Sequence, residues 1–242
     1  RDAISDLPSV SPHLGRPTEN ILKPMREMRG GHRSRFLSWV RQCPTPSSLR
    51  TKPRECSLHH TRPVNPRDQA IFPLLESGED GPRVLYRDIF PLRLDEVTKA
   101  LPLGYTSSVD EDGKHWVSGP PWGSRNDSKW GWYDPSKFGD KMRRIHGDLP
   151  APTVVAHLAK DGYMFVHPDE HRTITVREAA RFQSFPDSYD FSAGGSNPIS
   201  SQFRQVGNAV PPLLALALGC EVMRSMGHDL EYTLSDVFPK AD

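Results

Sequence analysis

Apolar positions recur at helical spacing in the stretch 173–187, TITVREAARFQSFPD. Small and aromatic groups there fall on one side of a short helix: Ala179, Ala180, Phe182 and Phe185. Glu178 falls in the first turn, where a negative charge favours the positive end of the helix dipole. The pattern therefore predicts a short strand entering a helix that Pro186-Asp187 ends.

The same reading predicts further elements on both sides of this helix. Residues 66–77 predict an amphipathic helix with Pro66 near its start and Ile71, Leu74 and Leu75 inward, and 32–42 predict a short helix. Two strands are predicted at 151–158 and 163–167, joined by a turn at Asp161-Gly162. Residues 78–140 are rich in Gly, Pro, Asp and Trp, and we expect them to be irregular.

The C-terminal stretch 205–227 reads as a glycine-led turn that leads into a helix. Pro211 and Pro212 fall in the first turn, where a missing N–H costs little. Residues 213–226 are apolar nearly all round, so we expect this helix to be buried against another element. Since no run approaches the roughly 18 apolar residues of a membrane span, we expect no membrane partner.

Composition indicates a loop-rich globular chain. Of its 242 residues 36% are apolar, and 24 prolines interrupt regular structure. Three unpatterned cysteines favour a reducing, intracellular setting over a disulfide framework. The chain begins with Arg1 and shows no signal peptide, which indicates a segment or a processed product.

The net charge of +1 conceals a marked asymmetry. Residues 13–62 carry 11 Lys/Arg against 3 Asp/Glu, 63–115 carry 6 against 10, and 124–144 carry 6 against 3. The positive blocks also contain aromatic residues: Phe36, Trp39, Trp130, Trp132, Tyr133 and Phe138. Such blocks suit a polyanion such as DNA, since Lys and Arg neutralise phosphates. A solvated basic face explains the charge alone equally well.

Two other candidate motifs are weak. A zinc site would need Cys43, Cys56, His59 and His60, but neither cysteine has a close cysteine partner and adjacent histidines point apart, so we expect no metal. The box GPPW at 119–122 resembles the Pro-Pro-aromatic motif of amino-methyltransferases. Gly119 supplies no side-chain acceptor there, so we interpret the box as a turn.

Two stretches together carry a specific signal. RTITVREAARFQSFPD (172–187) and QVGNAVPP (205–212) closely resemble the ninth and tenth conserved motifs of DNA (cytosine-5) methyltransferases, in the family's order. RDAISDLP resembles the segment after that family's eighth motif. Thr153-Val154 in LPAPTVVAH resembles the dipeptide that closes the target recognition domain. Residues 10–140 match nothing specific.

The resemblance implies an architecture. The fold class is α/β: the C-terminal piece of a Rossmann-like methyltransferase dependent on S-adenosyl-L-methionine, plus a loop-rich α+β target recognition domain. Residues 1–10 would end a catalytic-domain segment, 11–170 would form the recognition domain, and 171–242 would return to the catalytic domain.

The resemblance also implies roles for the ninth and tenth motifs. Arg177 and Arg181 would be structural braces that hold loops and backbone carbonyls, a task suited to the rigid guanidinium fork. Gly207, Asn208 and Ala209 would form a turn beside the methionine end of the cofactor. Gly207 would permit close backbone approach, and Asn208 would offer a donor and an acceptor. The turn could equally serve to cap the next helix.

Double-stranded DNA is the implied substrate. Arg143 and Arg144 would read bases, since arginine can bind guanine in a bidentate manner. Thr153 would contact phosphate, with His157 and Lys160 as further contacts. Surface charge without a DNA role is the alternative for both arginines.

The family's catalytic motifs are missing from this sequence. It contains no Pro-Cys-Gln, Glu-Asn-Val or Gln-x-Arg-x-Arg, so no residue here is assigned as catalytic and we expect the chain alone to be inactive. The expected partner is the catalytic part of the enzyme, on the same or a separate chain.

Three functions remain open: this part of a methyltransferase, a non-catalytic DNA-binding module, and a protein-interaction domain. For the first we expect a bacterial cytoplasmic location on DNA, in restriction-modification or phage defence.

Overall fold

The computed structural model describes residues 3–10, 23–24, 35–41, 55–75, 94–120, 129–133, 142–160, 162–192, 198–230 and 232–237. Within them the α-helices are α1 (Arg35–Arg41), α2 (Pro66–Ile71), α3 (Leu94–Lys99), α4 (Val176–Phe182), α5 (Ile199–Asn208), α6 (Pro212–Ser225) and α7 (Leu234–Val237). Short 3-10 helices cover Phe72–Leu74, Ala156–Ala159 and Gly162–Met164.

Two small antiparallel sheets accompany these helices. Strand β1 (Lys23–Pro24) pairs with β2 (Glu55–Cys56). Strands β3 (Thr106–Val109), β4 (His115–Ser118) and β5 (Lys129–Gly131) form a sheet in the order β3-β4-β5. In its register Val117 lies opposite both Ser107 and Trp130.

Two main hydrophobic clusters form the core. The first lies under α4 and α5 and consists of Leu58, Ile145, Val154, Leu158, Phe165, Ile174, Val176, Ala179, Ala180, Phe185, Phe191, Phe203 and Val206. The second joins α2 to the three-stranded sheet and consists of Val64, Ala70, Ile71, Phe72, Leu75, Val97, Val117, Trp132, Met142 and Val166. Most of the candidate residues lie near the first cluster, whereas Arg144 donates to the carbonyls of Phe72 and Leu75 in the second.

A polar network reinforces the second cluster. The hydroxyls of Tyr133 and Tyr163 both donate to the Asp68 carboxylate. The Arg67 guanidinium donates to Gly131 O and lies 3.6 Å from the centre of the Tyr133 ring. Burial, followed by the Asp68 charge, raises the pKa of Tyr163 far above its usual value, which keeps it a hydrogen-bond donor.

The helix predictions near the N-terminal half are confirmed, with one boundary wrong. Helix α1 lies within 32–42, and α2 begins at Pro66 with Asn65 Oδ1 accepting from Asp68 N at 2.9 Å. The α-helix stops at Ile71 instead of reaching 77, and a 3-10 turn follows. Pro73 within that turn has no N–H to continue the α-helical ladder.

The predicted strands at 151–158 and 163–167 are wrong. Residues 151–155 form no strand, and 3-10 helices occupy Ala156–Ala159 and Gly162–Met164. Pro150 and Pro152 remove two backbone donors that a strand would need, and the buried side chains of this stretch pack on α5. Only isolated bridges from Val166 to Arg144 and to Thr173 remain in the described residues.

The expectation that 78–140 is irregular is also wrong, because α3 and the three-stranded sheet lie there. Their signal is weak in the sequence. Strand β3 reads TSSV with hardly any buried position, and Val117 is the buried residue of β4. The sheet therefore forms around one buried valine and the surrounding aromatic residues, without the apolar alternation that marks a strand.

The C-terminal segment departs from prediction in two ways. Residues 205–208 are the end of α5, so they are helical and no glycine-led turn forms there. Helix α6 begins at Pro212 as expected, but Cys220 is its only residue that the described chain buries. Its apolar surface is therefore not covered by the part of the molecule described.

The stretch Ile199–Ser225 contains an 18-residue window that is long and apolar enough to cross a membrane by length and composition. This is weak evidence for a span. Ala209 has an extended backbone that separates α5 from α6, and α5 is anchored by buried Phe203 and Val206. The 14 residues of α6 extend about 21 Å, less than the roughly 30 Å of a bilayer core.

Candidate functional site

Helix α4 is the centre of the site region, and local chemistry defines its start. Thr175 is the N-cap, and its Oγ1 accepts from Glu178 N at 3.2 Å. The Glu178 carboxylate accepts in return from Thr175 N at 2.7 Å, which completes a capping box. The helix ends before Ser184, whose φ of 60° turns the chain away.

Arg181 lies buried at the centre of a charged cluster. It donates to both carboxylate oxygens of Asp187, at 2.9 and 2.7 Å, and to Asp6 and Ala3 O. Burial acts to raise the pKa of Asp6, but hydrogen bonds and charge from Arg181 and Arg41 outweigh burial and lower it. Arg181 thus ties residues 3–6 to the end of the ninth-motif stretch.

Arg177 makes a second set of internal contacts. Its guanidinium donates to Ser57 O and Oγ at 3.2 and 3.0 Å, to Pro186 O at 3.4 Å and to Tyr189 O at 3.1 Å. The side chain is fully buried, and burial lowers its pKa. These contacts to loops and carbonyls are those of a brace.

A third buried arginine was missed by the sequence interpretation. Arg172 binds both oxygens of Glu178 at 2.8 Å and donates to Glu170 Oε2 at 2.6 Å. Glu170 in turn accepts from Ser9 Oγ at 2.7 Å. The pair of Arg172 and Glu178 could have been predicted from the sequence. Glu178 uses one carboxylate oxygen in the capping box, its second oxygen needs a donor, and Arg172 precedes it closely in the chain.

His167 lies against this cluster as a neutral ring. Its Nδ1 accepts from the backbone N–H groups of Asp169 and Glu170 at 3.0 and 2.9 Å. Burial lowers its pKa to about 4, against the opposing effect of Glu178, whose carboxylate lies 3.5 Å from Nε2. Burial acts to raise the pKa of Glu178, but the charge of Arg172 outweighs it and the pKa is lowered.

The structure corrects the assignment of Arg144 as a base-reading residue. Its side chain is 5% exposed, and its guanidinium donates to the carbonyls of Phe72, Leu75, His167, Pro168 and Glu170. Burial lowers its pKa. A guanidinium with this many internal acceptors has no fork left for guanine, so Arg144 is an internal brace.

Arg143 differs from its neighbour, since it is only half-buried. Its backbone N donates to Tyr163 O at 3.0 Å, and its Nε is buried without a partner among the described residues. In an extended segment adjacent side chains face opposite ways, so one of the two arginines had to point inward. The sequence did not reveal which.

The other predicted DNA contacts share one surface. Thr153, His157 and Lys160 are all exposed, while Val154 and Leu158 between them are buried in the first core cluster. We call residues 153–160 the DNA-facing segment, after the contacts that the sequence predicts for them. Its N-terminal end borders a cleft of about 750 Å³ that residues 145–154 line together with Ile4, Phe182 and Gln183.

Gly207, the first of the three predicted cofactor residues, lies against this same segment. A Cβ on Gly207 would lie 2.6 Å from Val155 O and 3.2 Å from Ala156 Cα, so glycine allows α5 to touch the backbone of the DNA-facing segment. This close approach is to the protein's own chain. The structure therefore brings Gly207 next to the segment that contains Thr153, His157 and Lys160.

The two neighbours of Gly207 are differently placed. Asn208 is exposed, and its side chain presents a donor and an acceptor, which fits an amino-acid group reaching it from outside. Ala209 is half-buried, and its carbonyl accepts from Gln183 Nε2 at 3.4 Å. Ser184 Oγ accepts from Leu213 N at 3.1 Å, so the end of α4 holds the junction between α5 and α6.

Both described cysteines have buried side chains. Cys56 is buried, and burial raises its pKa to about 12. Cys220 is also buried, and its thiol faces Tyr232 O at 3.7 Å. Cys43 lies outside the described residues. A thiol with a raised pKa is a poor nucleophile, because the thiolate is the reactive form.

The zinc and GPPW candidates can be placed in part. His59 contacts Thr175 Oγ1 at 3.0 Å and Pro8 O at 2.7 Å, and the described residues hold no group of three potential metal ligands. Gly119 packs on Tyr105, whose hydroxyl donates to Pro120 O at 3.1 Å. The remainder of that box, Pro121 and Trp122, lies outside the described residues.

Most of the basic blocks also lies outside the described residues. Among the described residues, Lys129 of a basic block and Lys114 just before it in the chain both lie over the Trp116 ring. Their ammonium groups are 4.5 and 4.3 Å from the centre of that ring. The Trp116 ring N–H donates to Asp110 at 2.7 Å, in an acidic turn. This end of the sheet is therefore mixed in charge.

Three curated relatives resemble the chain over different lengths. A putative type II methyltransferase, M.OihORF3336P of Oceanobacillus iheyensis, is 32% identical over 222 residues, which are 90% of this chain and 42% of the relative. Type II methyltransferase M.AgeI of Thalassovita gelatinovora is 54% identical over 85 residues, 35% of this chain and 19% of the relative. Type II methyltransferase M.AquIB of a Picosynechococcus species is 42% identical over 97 residues, 37% of this chain and 67% of the relative. The chain thus spans less than half the length of the first two.

A family model covers the region in which the geometry concentrates the candidate residues. The model of C-5 cytosine-specific DNA methylases matches residues 103–224, half of the chain. This match includes the DNA-facing segment, α4, α5 and nearly all of α6. The chain belongs to the C-5 cytosine-specific DNA methylase family.

Proposed function

We propose that this chain is the DNA-recognition and cofactor-closing part of a DNA (cytosine-5-)-methyltransferase. Family membership implies a Rossmann-like fold that uses S-adenosyl-L-methionine. The observation that carries the proposal is the contact of Gly207 with Val155 O, because it places the DNA-facing segment beside the candidate cofactor residues. A methyltransferase must hold DNA and cofactor side by side.

The DNA-facing segment would grip the DNA backbone. The short hydroxyl of Thr153 suits a phosphate oxygen, while His157 and Lys160 follow it on the same exposed surface. Arg143 remains the candidate for a base contact. Its neighbour Arg144, the internal brace, would hold the chain where it enters the loop that leads to Thr153. Directly after Arg144, Ile145 N donates to Val166 O at 2.9 Å.

The cofactor-closing role would fall to the end of α5. The Asn208 amide would donate to and accept from the amino-acid group of S-adenosyl-L-methionine, with Ala209 beside it. When bound, this cofactor supplies the methyl group for a cytosine flipped out of the duplex. The residues of this chain would orient the cofactor and help to exclude water from it.

The nucleophile would come from the catalytic part. A thiolate that adds to the cytosine ring has no candidate among the described cysteines, and the sequence contains no Pro-Cys-Gln. The catalytic part could be on the same or a separate chain. The 97 residues that align with this chain form 67% of M.AquIB. One relative therefore consists mostly of a region that resembles part of this chain.

Helix α6 would dock on the catalytic part. Three of its exposed apolar residues and Met226 at its C-cap recur every four positions and form one stripe, which consists of Leu214, Leu218, Val222 and Met226, and Met223 is exposed beside it. We call these four residues the α6 stripe. An apolar helix face of this kind needs a partner to remove it from water.

The biological setting is also part of the proposal. The type II names of the relatives support a restriction-modification or defence role in a bacterial cytoplasm, on DNA. A non-catalytic DNA-binding module is the alternative, and the burial of the two described cysteines is compatible with it.

The test is covalent trapping with duplex DNA that contains 5-fluorocytosine, in the presence of S-adenosyl-L-methionine. We expect an adduct only when this chain is joined with the part that carries Pro-Cys-Gln, and on a cysteine of that part. Replacing that cysteine by serine in the partner is the matched control and should abolish the adduct.

Two results would contradict the proposal. An adduct on Cys43, Cys56 or Cys220 of this chain alone would make it a complete catalyst. DNA binding without any adduct, even with the catalytic part present, would favour the DNA-binding module.

A further inference from the structure

Arg62 holds the C-terminal end of the 3-10 helix in the DNA-facing segment. Its Nη1 donates to Ala159 O at 3.1 Å, and its Nη2 donates to Leu158 O. The last carbonyls of a helix accept no hydrogen bond from an N–H of the same helix, so these two carbonyls need a donor from elsewhere. The guanidinium thus caps the helix from a residue almost 100 positions earlier.

The same guanidinium also contacts α5. Its central carbon lies 3.8 Å from the centre of the Phe203 ring, and Phe203 is fully buried. A flat guanidinium can stack on a ring and donate at its edge at the same time, which an ammonium cannot do. Arg62 therefore joins the 3-10 helix to α5 at one point.

The space around Arg62 is filled on a further side. A Cβ on Gly162 would lie 3.0 Å from the Arg62 Nη1 and 3.1 Å from its central carbon. Gly162 is buried, so its lack of a side chain makes room for the guanidinium. With Gly207 touching Val155 O, the DNA-facing segment is held on α5 at both ends of its 3-10 helix.

The exposed side chains of His157 and Lys160 depend on this anchoring. His157 lies within the 3-10 helix, and Lys160 follows it with its backbone N donating to His157 O at 2.8 Å. Any rotation of the helix would move both side chains relative to α5. The charge of Arg62 itself is directed to protein carbonyls and to a ring.

We propose that Arg62 is a positioning residue for DNA binding, which orients Ala156–Ala159 so that His157 and Lys160 reach the DNA backbone together. This inference rests on the proposed function. It assigns to Arg62 no contact with DNA, although its charge and its place in a basic block favour one.

The test is a double-mutant cycle in the chain assembled with its catalytic part. Binding to a duplex is measured across a range of salt for the parent, Arg62→Lys, Lys160→Gln and the double variant. Arg62→Lys keeps the charge but loses the stack and one of the two carbonyl contacts. We expect it to weaken binding about tenfold and to reduce the salt slope by about 1, because Lys160 loses its phosphate.

The decisive result is the coupling. Lys160→Gln should weaken binding in the parent but have almost no further effect in the Arg62→Lys background. The matched control is Lys114→Gln, between β3 and β4. This change should have the same effect in the parent and in the Arg62→Lys background. A lower melting temperature with unchanged binding would make Arg62 merely structural and would overturn the inference.

Other outcomes separate this inference from the proposed function. If Lys160→Gln weakens binding equally in both backgrounds, the positioning role is wrong and the DNA-facing segment stands. If Lys160→Gln has no effect in the parent, the segment and the positioning role both fail. Should Arg62→Lys not fold, Phe203→Leu removes the aromatic ring beside the Arg62 guanidinium while keeping an apolar side chain in the first core cluster, and it must show the same coupling.

Discussion

Helices α4 and α6 are opposites in composition and in burial. Six of the seven residues of α4 are buried, among them Arg177, Glu178 and Arg181. Helix α6 is apolar along most of its 14 residues, yet Cys220 alone is buried by the described chain. The polar helix is inside and the apolar one is outside.

The reason lies in where each helix finds its partners. Every charged group of α4 meets an opposite charge or a carbonyl within this chain, so burial leaves none of them uncompensated. The apolar residues of α6 meet water in the described structure. The composition of α6 predicts a buried helix, and only the contacts show that the described residues leave its apolar face uncovered.

The largest expected effect comes from breaking the interior of α4. Arg181→Met leaves the Asp6 and Asp187 carboxylates without their central partner, and we expect a loss of about 3–5 kcal/mol in the free energy of unfolding. Urea unfolding of the variant and the parent measures it. The control is Arg224→Met on α6, whose exposed pair with Glu221 should contribute below about 1 kcal/mol. Equal losses would show that Arg181 is not a brace.

The α6 stripe is tested by making it polar. Leu218→Glu combined with Val222→Glu should leave the stability of the chain alone nearly unchanged, since both side chains are 56% exposed. Affinity for the catalytic part should fall at least about 100-fold, because two apolar side chains no longer enter the interface. Titration calorimetry measures this affinity.

Glu221→Gln, on the same helix outside the stripe, is the control and should bind like the parent. Undiminished affinity of the double variant would place the docking surface elsewhere.

His167 makes the buried cluster sensitive to acid. Its pKa is about 4 in the folded chain against an ordinary value near 6.5. Between these values the unfolded state takes up a proton that the folded state does not, so stability falls as pH decreases from 6.5 to 4, by roughly 1–3 kcal/mol.

His167→Asn keeps an acceptor for the Asp169 and Glu170 N–H groups and removes the titrating ring. Urea unfolding at pH 7, 6 and 5 should give a flatter dependence for the variant. Identical slopes for variant and parent would show that other groups dominate.

Two glycines on successive helices should respond in opposite directions, and Gly219 should give the smallest effect. Gly207→Ala would place a Cβ 2.6 Å from Val155 O, a backbone atom, and we expect a loss of about 1–3 kcal/mol together with weaker DNA binding. Gly219→Ala on α6 meets nothing within 4 Å and should stabilise the chain by up to about 1 kcal/mol. Thermal unfolding of both variants measures the difference, and a harmless Gly207→Ala would refute the close contact of α5 with the DNA-facing segment.

Local signals could be predicted well from the sequence. The first turn of α4 around Glu178, the start of α2 at Pro66 and the position of α1 agree with the predictions from helix-dipole charge, proline placement and spacing. The three-stranded sheet could not be predicted, because β3 has hardly any apolar alternation. Long-range pairs such as Arg62 with Ala159 leave no mark in the spacing of residues.

The sequence by itself determined the family, through two ordered motifs whose residues are close together in the chain. It also determined that α4 is capped and that α6 is apolar. Only the tertiary structure decided which arginines are internal, because Arg143 and Arg144 are chemically identical and differ solely in the side of the backbone they occupy. The direction in which the Arg144 side chain points depends on contacts such as its hydrogen bond to Phe72 O, more than 70 positions away in the sequence. Such contacts exist only once the chain has folded.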